Sequence, residues 1–260
     1  MAGQPERAPL GALDSLSQTA WAPWAIPEVL ETTPSTMADV EHRAARGAPE
    51  GTVVVAEEQT AGRGRRGRTW ESASRAGLWL SLLVRPTVPV EGLGWLPLVV
   101  GVAVARALRS VADVDARLKW PNDVLVSDGK VAGVLAERLG DGAVIVGVGL
   151  NVDQTEGELP EGGTSLRLLG RSVDRTHLLI AVLDEVATTY RRWQAGIDVA
   201  GDYAELSATL GQEVVADLGS EIVTGQAVSL GASGELVIRD ARGEDRVVSA
   251  GDVTLRRMPR

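Results

Sequence analysis

Aliphatic and β-branched runs alternate along this chain with polar, glycine-punctuated stretches, and the rhythm changes near residue 211. A short strand is predicted over 25–31, followed by Thr33-Pro34-Ser35-Thr36 as a helix start with Asp39 in a capping-box-like position. That helix runs to Arg46 and stops at Gly47. Residues 52–56 and 78–84 read as buried strands. Residues 96–111 are apolar on nearly every face until Arg106, which predicts a helix packed inside a domain. Asp128-Gly129 joins strands 124–126 and 131–137 as a hairpin, and the turn at 140–142 leads into a third strand, 143–152. Asp174 caps an amphipathic helix over 175–194, and a shorter helix over 199–209 ends before Gly211. Beyond it lie only short strands, at 214–216, 222–223, 226–230, 236–238 and 246–249.

These elements predict an α+β fold. A flexible leader over 1–24 precedes a mixed or antiparallel sheet with packed helices over 25–210, and a small β-barrel closes the chain over 211–260. With 260 residues, 44% hydrophobic and 23% charged, the chain can bury a core. No internal repeat is seen. The first thirty residues lack the pattern of a signal peptide, and the longest apolar run, 96–105, is short of the roughly 20 residues a bilayer needs. A soluble protein with no membrane partner is therefore expected. The absence of cysteine excludes disulfides and thiol chemistry and fits a reducing cytoplasm. His42 and His177 lack ligands at metal-motif spacing, and no direct metal ligand is expected. A net charge of −9 argues against a nucleic-acid partner.

Against that acidic balance, Gly62-Arg63-Gly64-Arg65-Arg66-Gly67-Arg68 stands out. It contains G-x-G-x-x-G, but no helix follows it, so a dinucleotide fingerprint is excluded. Four arginines among three glycines describe a mobile cationic loop, suited to phosphate or carboxylate; a solvated charge run or an RNA contact stays open. Gln59 and Trp70 flank it, and an indole can stack on a purine. A second stretch, Lys119-Trp120-Pro121-Asn122-Asp123, places polar side chains at a rigid corner, either for phosphate and metal chemistry or as a turn before a hairpin. In the third, Lys130 opens a strand. Gly147 and Gly149 share one strand face, with Gly133 able to join them, leaving room for a ligand lying flat on the sheet.

Taken together, in this order and at these intervals, the stretches resemble the biotin protein ligases of the monofunctional type. The resemblance spans about residues 25–258 and includes Ser35-Thr36, the 62–68 run with Gln59 and Trp70, 119–123, 129–133 and 147–151. It implies a catalytic domain like those of class II aminoacyl-tRNA synthetases and biotin ligases. ATP, Mg²⁺ and biotin are implied, with biotinyl-5′-adenylate passed to a lysine of the biotin carboxyl carrier protein or domain of an acyl-CoA carboxylase. Ser35, Thr36 and Gln59 would bond the ureido ring, Met37 would approach through its backbone, and Arg63, Gly64 and Arg65 would wall biotin and its adenylate. Lys130 would face the carboxylate and α-phosphate, over the floor of Gly133, Gly147 and Gly149. Trp70 would stack on adenine, with Arg63, Arg65, Arg68, Lys119, Asn122, Lys130 and Asn151 around the nucleotide. Lys130, Arg65 and Asp123 are the implied catalytic groups, Asp123 orienting the incoming amine. Some members carry an N-terminal DNA-binding winged helix; the first thirty residues lack helix-turn-helix patterning, so a repressor role is not expected. A monomer or weak homodimer is expected. The rival readings are a lipoate or octanoate protein ligase and a noncatalytic nucleotide- or RNA-binding module.

Overall fold

A computed structural model describes residues 7–11, 13, 24–249 and 251–255. Most of the expected leader, and Ala250 and residues 256–260 of the expected barrel, lie outside these. Strands β1 (Glu28–Leu30), β2 (Val53–Ala56), β3 (Gln59–Arg63), β4 (Thr69–Ser72), β5 (Gly77–Val84), β6 (Ala116–Lys119), β7 (Asp123–Val126), β8 (Gly129–Arg138) and β9 (Val144–Asn151) precede the C-terminal strands. Helices are α1 (Thr36–Ala45), α2 (Leu96–Ala112), α3 (Arg175–Gln194) and α4 (Ala200–Leu206). Seven strands form one sheet in the order β1-β2-β5-β9-β8-β7-β6, in which only the β1–β2 pair is parallel.

The strict period of two in β5 and β9 decides what each face of this sheet does. Leu78, Leu80, Leu82 and Val84 join Val144, Val146, Val148 and Leu150 in the main core, against α2 and α3. The alternate positions face the other way. Leu83 and Ile145 pack with Val54 beneath Met37, Val40 and Ala44 of α1. Further along the same strands that face changes to Ser81, Gly147 and Gly149, where the first residues of α1, Thr36 and Met37, reach Ser81 and Gly147 and Gly149 lies beyond them. The apolar pattern thus stops where the site begins.

The segment Val90–Ala112, a 3₁₀ turn continued by α2, is longer than the apolar run read from sequence and long enough to cross a membrane. It is the core helix of this fold: Val99, Ala103, Ala107 and Leu108 have no exposure, and α2 packs on α3, β6 and β8.

Strands β10 (Glu213–Asp217), β11 (Ile222–Leu230), β12 (Leu236–Arg239), β13 (Asp245–Val248) and β14 (Asp252–Leu255) form a second, antiparallel sheet ordered β13-β12-β11-β10-β14. The expected barrel does not close: among the described residues β13 and β14 lie at opposite edges and do not pair. Residues 222–223 and 226–230 belong to one strand, because Gly225 lets β11 continue where a Cβ would meet the Arg239 carbonyl at 2.1 Å. Trp95 and Trp120 donate their indole N–H groups to Ala232 O (2.9 Å) and Gly234 O (3.0 Å), joining the two sheets.

The described part of the expected leader is not loose. Leu13 is buried in the main core, Leu10 N donates to Glu57 Oε1 at 2.5 Å, and Ala8 O accepts from Arg175 Nη2 at 2.7 Å. Buried Arg175 and Glu57 also pair at 2.7 Å, so residues 7–11 and 13 form a strap tied to an internal ion pair.

Candidate functional site

This sheet face carries an aligned row across four strands: Trp79, Gly149, Gly133 and Asp123 are successive register partners. The glycines do not leave the bare floor expected from sequence. A Cβ at Gly149 would lie 2.3 Å from the Trp70 indole, and one at Gly133 would lie 2.9 Å from it. At Gly147 the space is taken by the Met37 thioether, 2.8 Å from where a β-carbon would stand. Small residues here admit two of the protein's own side chains, and the flat surface offered to a ligand is the indole. Met37 is a residue of the cavity lining, and its thioether is seated over Gly147.

Above the row stands the hairpin β3–β4, where a mobile loop was expected. It forms because Gly62 lets the strands approach: a Cβ there would meet Trp70 O at 2.5 Å. Arg66 (φ 56°) and Gly67 (φ 73°) turn the tip through the left-handed region, which glycine adopts freely.

The arginines have defined partners. Arg63 pairs with Glu137 (3.2 Å) and Glu41 (3.5 Å). Arg65 donates to Asn122 Oδ1 (3.2 Å) and Gly251 O (3.4 Å), and its burial lowers its pKa. Arg66 and Arg68 share Asp252 of β14, at 3.4 and 2.6 Å. Burial works to raise the Asp252 pKa, but the Arg68 hydrogen bond and the three guanidinium charges outweigh it and hold the carboxyl below its usual range.

At the α1 end, Ser35 occupies the N-cap position without capping. Gln59 does that work: its Oε1 accepts from Thr36 N (2.9 Å) and Thr36 Oγ1 (3.1 Å), while its Nε2 donates to Ser72 Oγ (2.9 Å). Thr36 Oγ1 and Ser81 Oγ are 2.8 Å apart. The expected capping role of Asp39 is likewise diverted, since Asp39 accepts from the Thr33 hydroxyl. Ser35 Oγ is consequently buried with no partner among the described residues, as is Trp70 Nε1. A buried polar atom left unpaired costs about 1–3 kcal/mol, which a bound ligand would recover.

Opposite, Lys130 Nζ sits 2.6 Å from Asp123 Oδ1 and 5.1 Å from the Trp70 ring centroid. Asn122 Nδ2 donates to Val134 O (2.9 Å), which fixes the corner beside Lys119. Asn151 commits its amide to Lys130 O (3.4 Å), Thr164 O (3.0 Å) and the Gln154 side chain (3.0 Å), so it braces the wall.

Every residue implicated from the sequence lines this one cavity, of about 1480 Å³. Sequence reasoning missed Ser81, the loop 159–163, and Gly211, Gln212, Glu213 and Asp252–Leu255 from the second sheet. Ser81 had a signal, a hydroxyl within an aliphatic strand; the others reach the site through tertiary contacts alone. No cluster of three or more His, Asp or Glu suited to a metal ion occurs among the described residues.

Residues 29–154 match the Biotin/lipoate A/B protein ligase family, and residues 209–256 match the Biotin protein ligase C terminal domain. A biotin–[acetyl-CoA-carboxylase] ligase of Mycobacterium tuberculosis is 43% identical over 238 residues, covering 88% of this chain and 89% of that protein. The chain belongs to the biotin protein ligase family. The Aquifex aeolicus biotin protein ligase, solved in complex with biotin and ATP, superposes with a TM-score of 0.77 at 34% identity, covering 89% of this chain and 99% of that one. A Paracoccus denitrificans biotin–[acetyl-CoA-carboxylase] ligase is 35% identical over 77% of this chain and 88% of its own length. Both segments matched to biotin protein ligases contribute walls to the same cavity.

Proposed function

We propose that this protein joins biotin to ATP as biotinyl-5′-adenylate and transfers the biotinyl group to one lysine of a biotin carboxyl carrier domain of an acyl-CoA carboxylase. The observation that carries the reading is the meeting of Lys130, the arginine hairpin and the unpaired Ser35 hydroxyl around one indole-floored cavity. Ser35, Thr36 and Gln59 supply hydroxyl and amide groups for a ureido ring, and Trp70 a face for a flat base. In the first step a biotin carboxylate oxygen bonds to the α-phosphorus of ATP, and the bond to the leaving pyrophosphate breaks. Lys130 and Arg65 stabilise charge gathering on the phosphate oxygens, with Lys119 and Arg68 toward the leaving group. In the second step a neutral lysine amine attacks the acyl carbon and AMP departs. Asp123 orients that amine.

Mg²⁺ would enter as the companion of the triphosphate and neutralise part of its charge, since Asp123 and Asp252 of the cavity are paired to Lys130 and Arg68 and no acidic cluster suited to a metal occurs among the described residues. We place the reaction in the cytoplasm, with the chain acting as a monomer or weak homodimer. The noncatalytic RNA-binding alternative fares poorly, since Arg63, Arg66 and Arg68 are held by carboxylates of the protein itself.

Incubation with biotin, MgATP and a carrier domain tests the proposal: intact mass and peptide mapping should find one biotin on one lysine. An unmodified carrier, or lipoate outcompeting biotin in calorimetric titration, would refute it.

A further inference from the structure

The strap built by residues 7–11 and 13 reaches the reactive centre through one guanidinium. Arg7 is almost fully enclosed, with a side-chain exposure of 7%. Its Nη1 donates to Glu158 Oε1 (3.0 Å) and Ser74 O (3.3 Å), and its Nη2 to Glu158 Oε2 (2.6 Å) and Asp153 O (2.8 Å). Forked donation to both carboxylate oxygens is the strong geometry for this pair, and lysine cannot reproduce it. Glu158 is further fixed by Thr155, whose N–H and hydroxyl both donate to Oε2. These hydrogen bonds, Arg7's first, hold the Glu158 carboxyl down at about 2 against the cost of its burial.

Glu158 is the last residue before the loop 159–163 that walls the cavity. This loop carries the start of β8: Gly162 O accepts from Lys130 N (2.8 Å), and Lys130 O accepts from Thr164 N (2.9 Å). Pro160 stiffens the path and its carbonyl closes a turn with Gly163 N at 2.9 Å. Ser74, the other end of the Arg7 contact, closely follows the Trp70 strand β4. One side chain thus clamps the segments leading to Lys130 and to Trp70, which are neighbours in the cavity, the ammonium 5.1 Å from the ring centroid.

We propose that Arg7 is a positioning residue for adenylation, holding Glu158 so that the loop 159–163 sets Lys130 against the acyl-phosphate. The inference rests on the function proposed for this cavity, and no sequence signal connects residues separated by 151 positions.

Biotin-dependent exchange of labelled pyrophosphate into ATP, normalised to active sites by the adenylate burst and run well below every unfolding midpoint, provides the test. Arg7→Ala should lower kcat/KM between about ten- and a hundredfold, the range for displacing a reacting group by about an ångström. Arg7→Lys should restore only part of it. Leu13→Ala, which loosens the same strap at its core anchor, should lower the midpoint and leave the exchange rate unchanged. Equal exchange by Arg7→Ala and wild type, within about twofold, overturns the proposal. Should Arg7→Ala not fold, Glu158→Gln decides in its place: a loss of exchange supports the clamp, and an unchanged rate overturns it. Absence of exchange in the wild-type protein instead overturns the assigned reaction itself.

Discussion

The two walls of the cavity are held by different physics. The floor is an in-register antiparallel sheet in which Gly149 and Gly133 lie side by side, fixed by backbone hydrogen bonds and buried contact with Trp70. The tip of the hairpin β3–β4 facing it, beyond the Trp70 anchor, is half exposed and held by ion pairs, notably Arg66 and Arg68 on Asp252, whose side chains are 39%, 61% and 45% exposed. Exposed pairs contribute about 0–1 kcal/mol and are screened by salt, whereas sheet contacts are not. The floor therefore defines the ligand geometry, and the hairpin tip is the part able to adjust as ligand enters and carrier arrives.

Removing the cation at the floor should have the largest effect. Lys130→Ala is expected to lower biotin adenylation, followed by pyrophosphate exchange, by about 10²–10³-fold, with circular dichroism unchanged. A residual rate near wild type would remove Lys130 from the mechanism. Next comes Gly149→Ala, whose methyl would stand 2.3 Å from the indole. Calorimetry should find biotin affinity reduced by about tenfold or more, equally at low and high salt, since the clash is steric. Arg65→Ala should cost about tenfold in adenylation and let adenylate escape, seen as biotin on several carrier lysines. Smallest is Asp252→Asn, which should change the KM for ATP by up to about fivefold at low salt and negligibly at about 1 M salt. An Asp252→Asn effect that survives high salt would break the contrast between the walls.

Acid should act on the hairpin in a defined direction. Asp252 titrates below its usual range in the folded protein, so its contribution to holding the hairpin is present above the unfolded carboxyl's pKa. It is lost as pH falls through the folded value. Glu158, held at about 2 against an ordinary 4.5, behaves alike, its stabilisation fading as pH falls from 4.5 toward 2.

What the sequence discloses follows from how local the cause is. Helix α3 is legible at both ends because Asp174 accepts from His177 N and Gly196 takes a positive φ just past the last turn. The glycines of β8 and β9 are legible as period-two gaps in an aliphatic strand, although what fills them, Trp70 and Met37, comes from elsewhere in the chain. The hairpin is hidden because glycine and arginine carry little strand preference, and its pairing depends on Gly62 meeting Trp70 O. Arg7 is hidden among small residues, since its partners lie at Ser74, Asp153 and Glu158. The second sheet's share of the cavity is equally invisible, because Asp252 meets Arg66 and Arg68 across 184 to 186 positions of sequence.

The most direct test of the central claim is a crystal structure of the protein grown with biotin and MgATP. Biotinyl-5′-adenylate should lie against the Trp70 indole, with its ureido ring at Ser35, Thr36 and Gln59, its acyl-phosphate beside Lys130, and residues 62–68 folded over it. An adenylate bound on another face, or a cavity that stays empty at saturating ligand, would contradict the account.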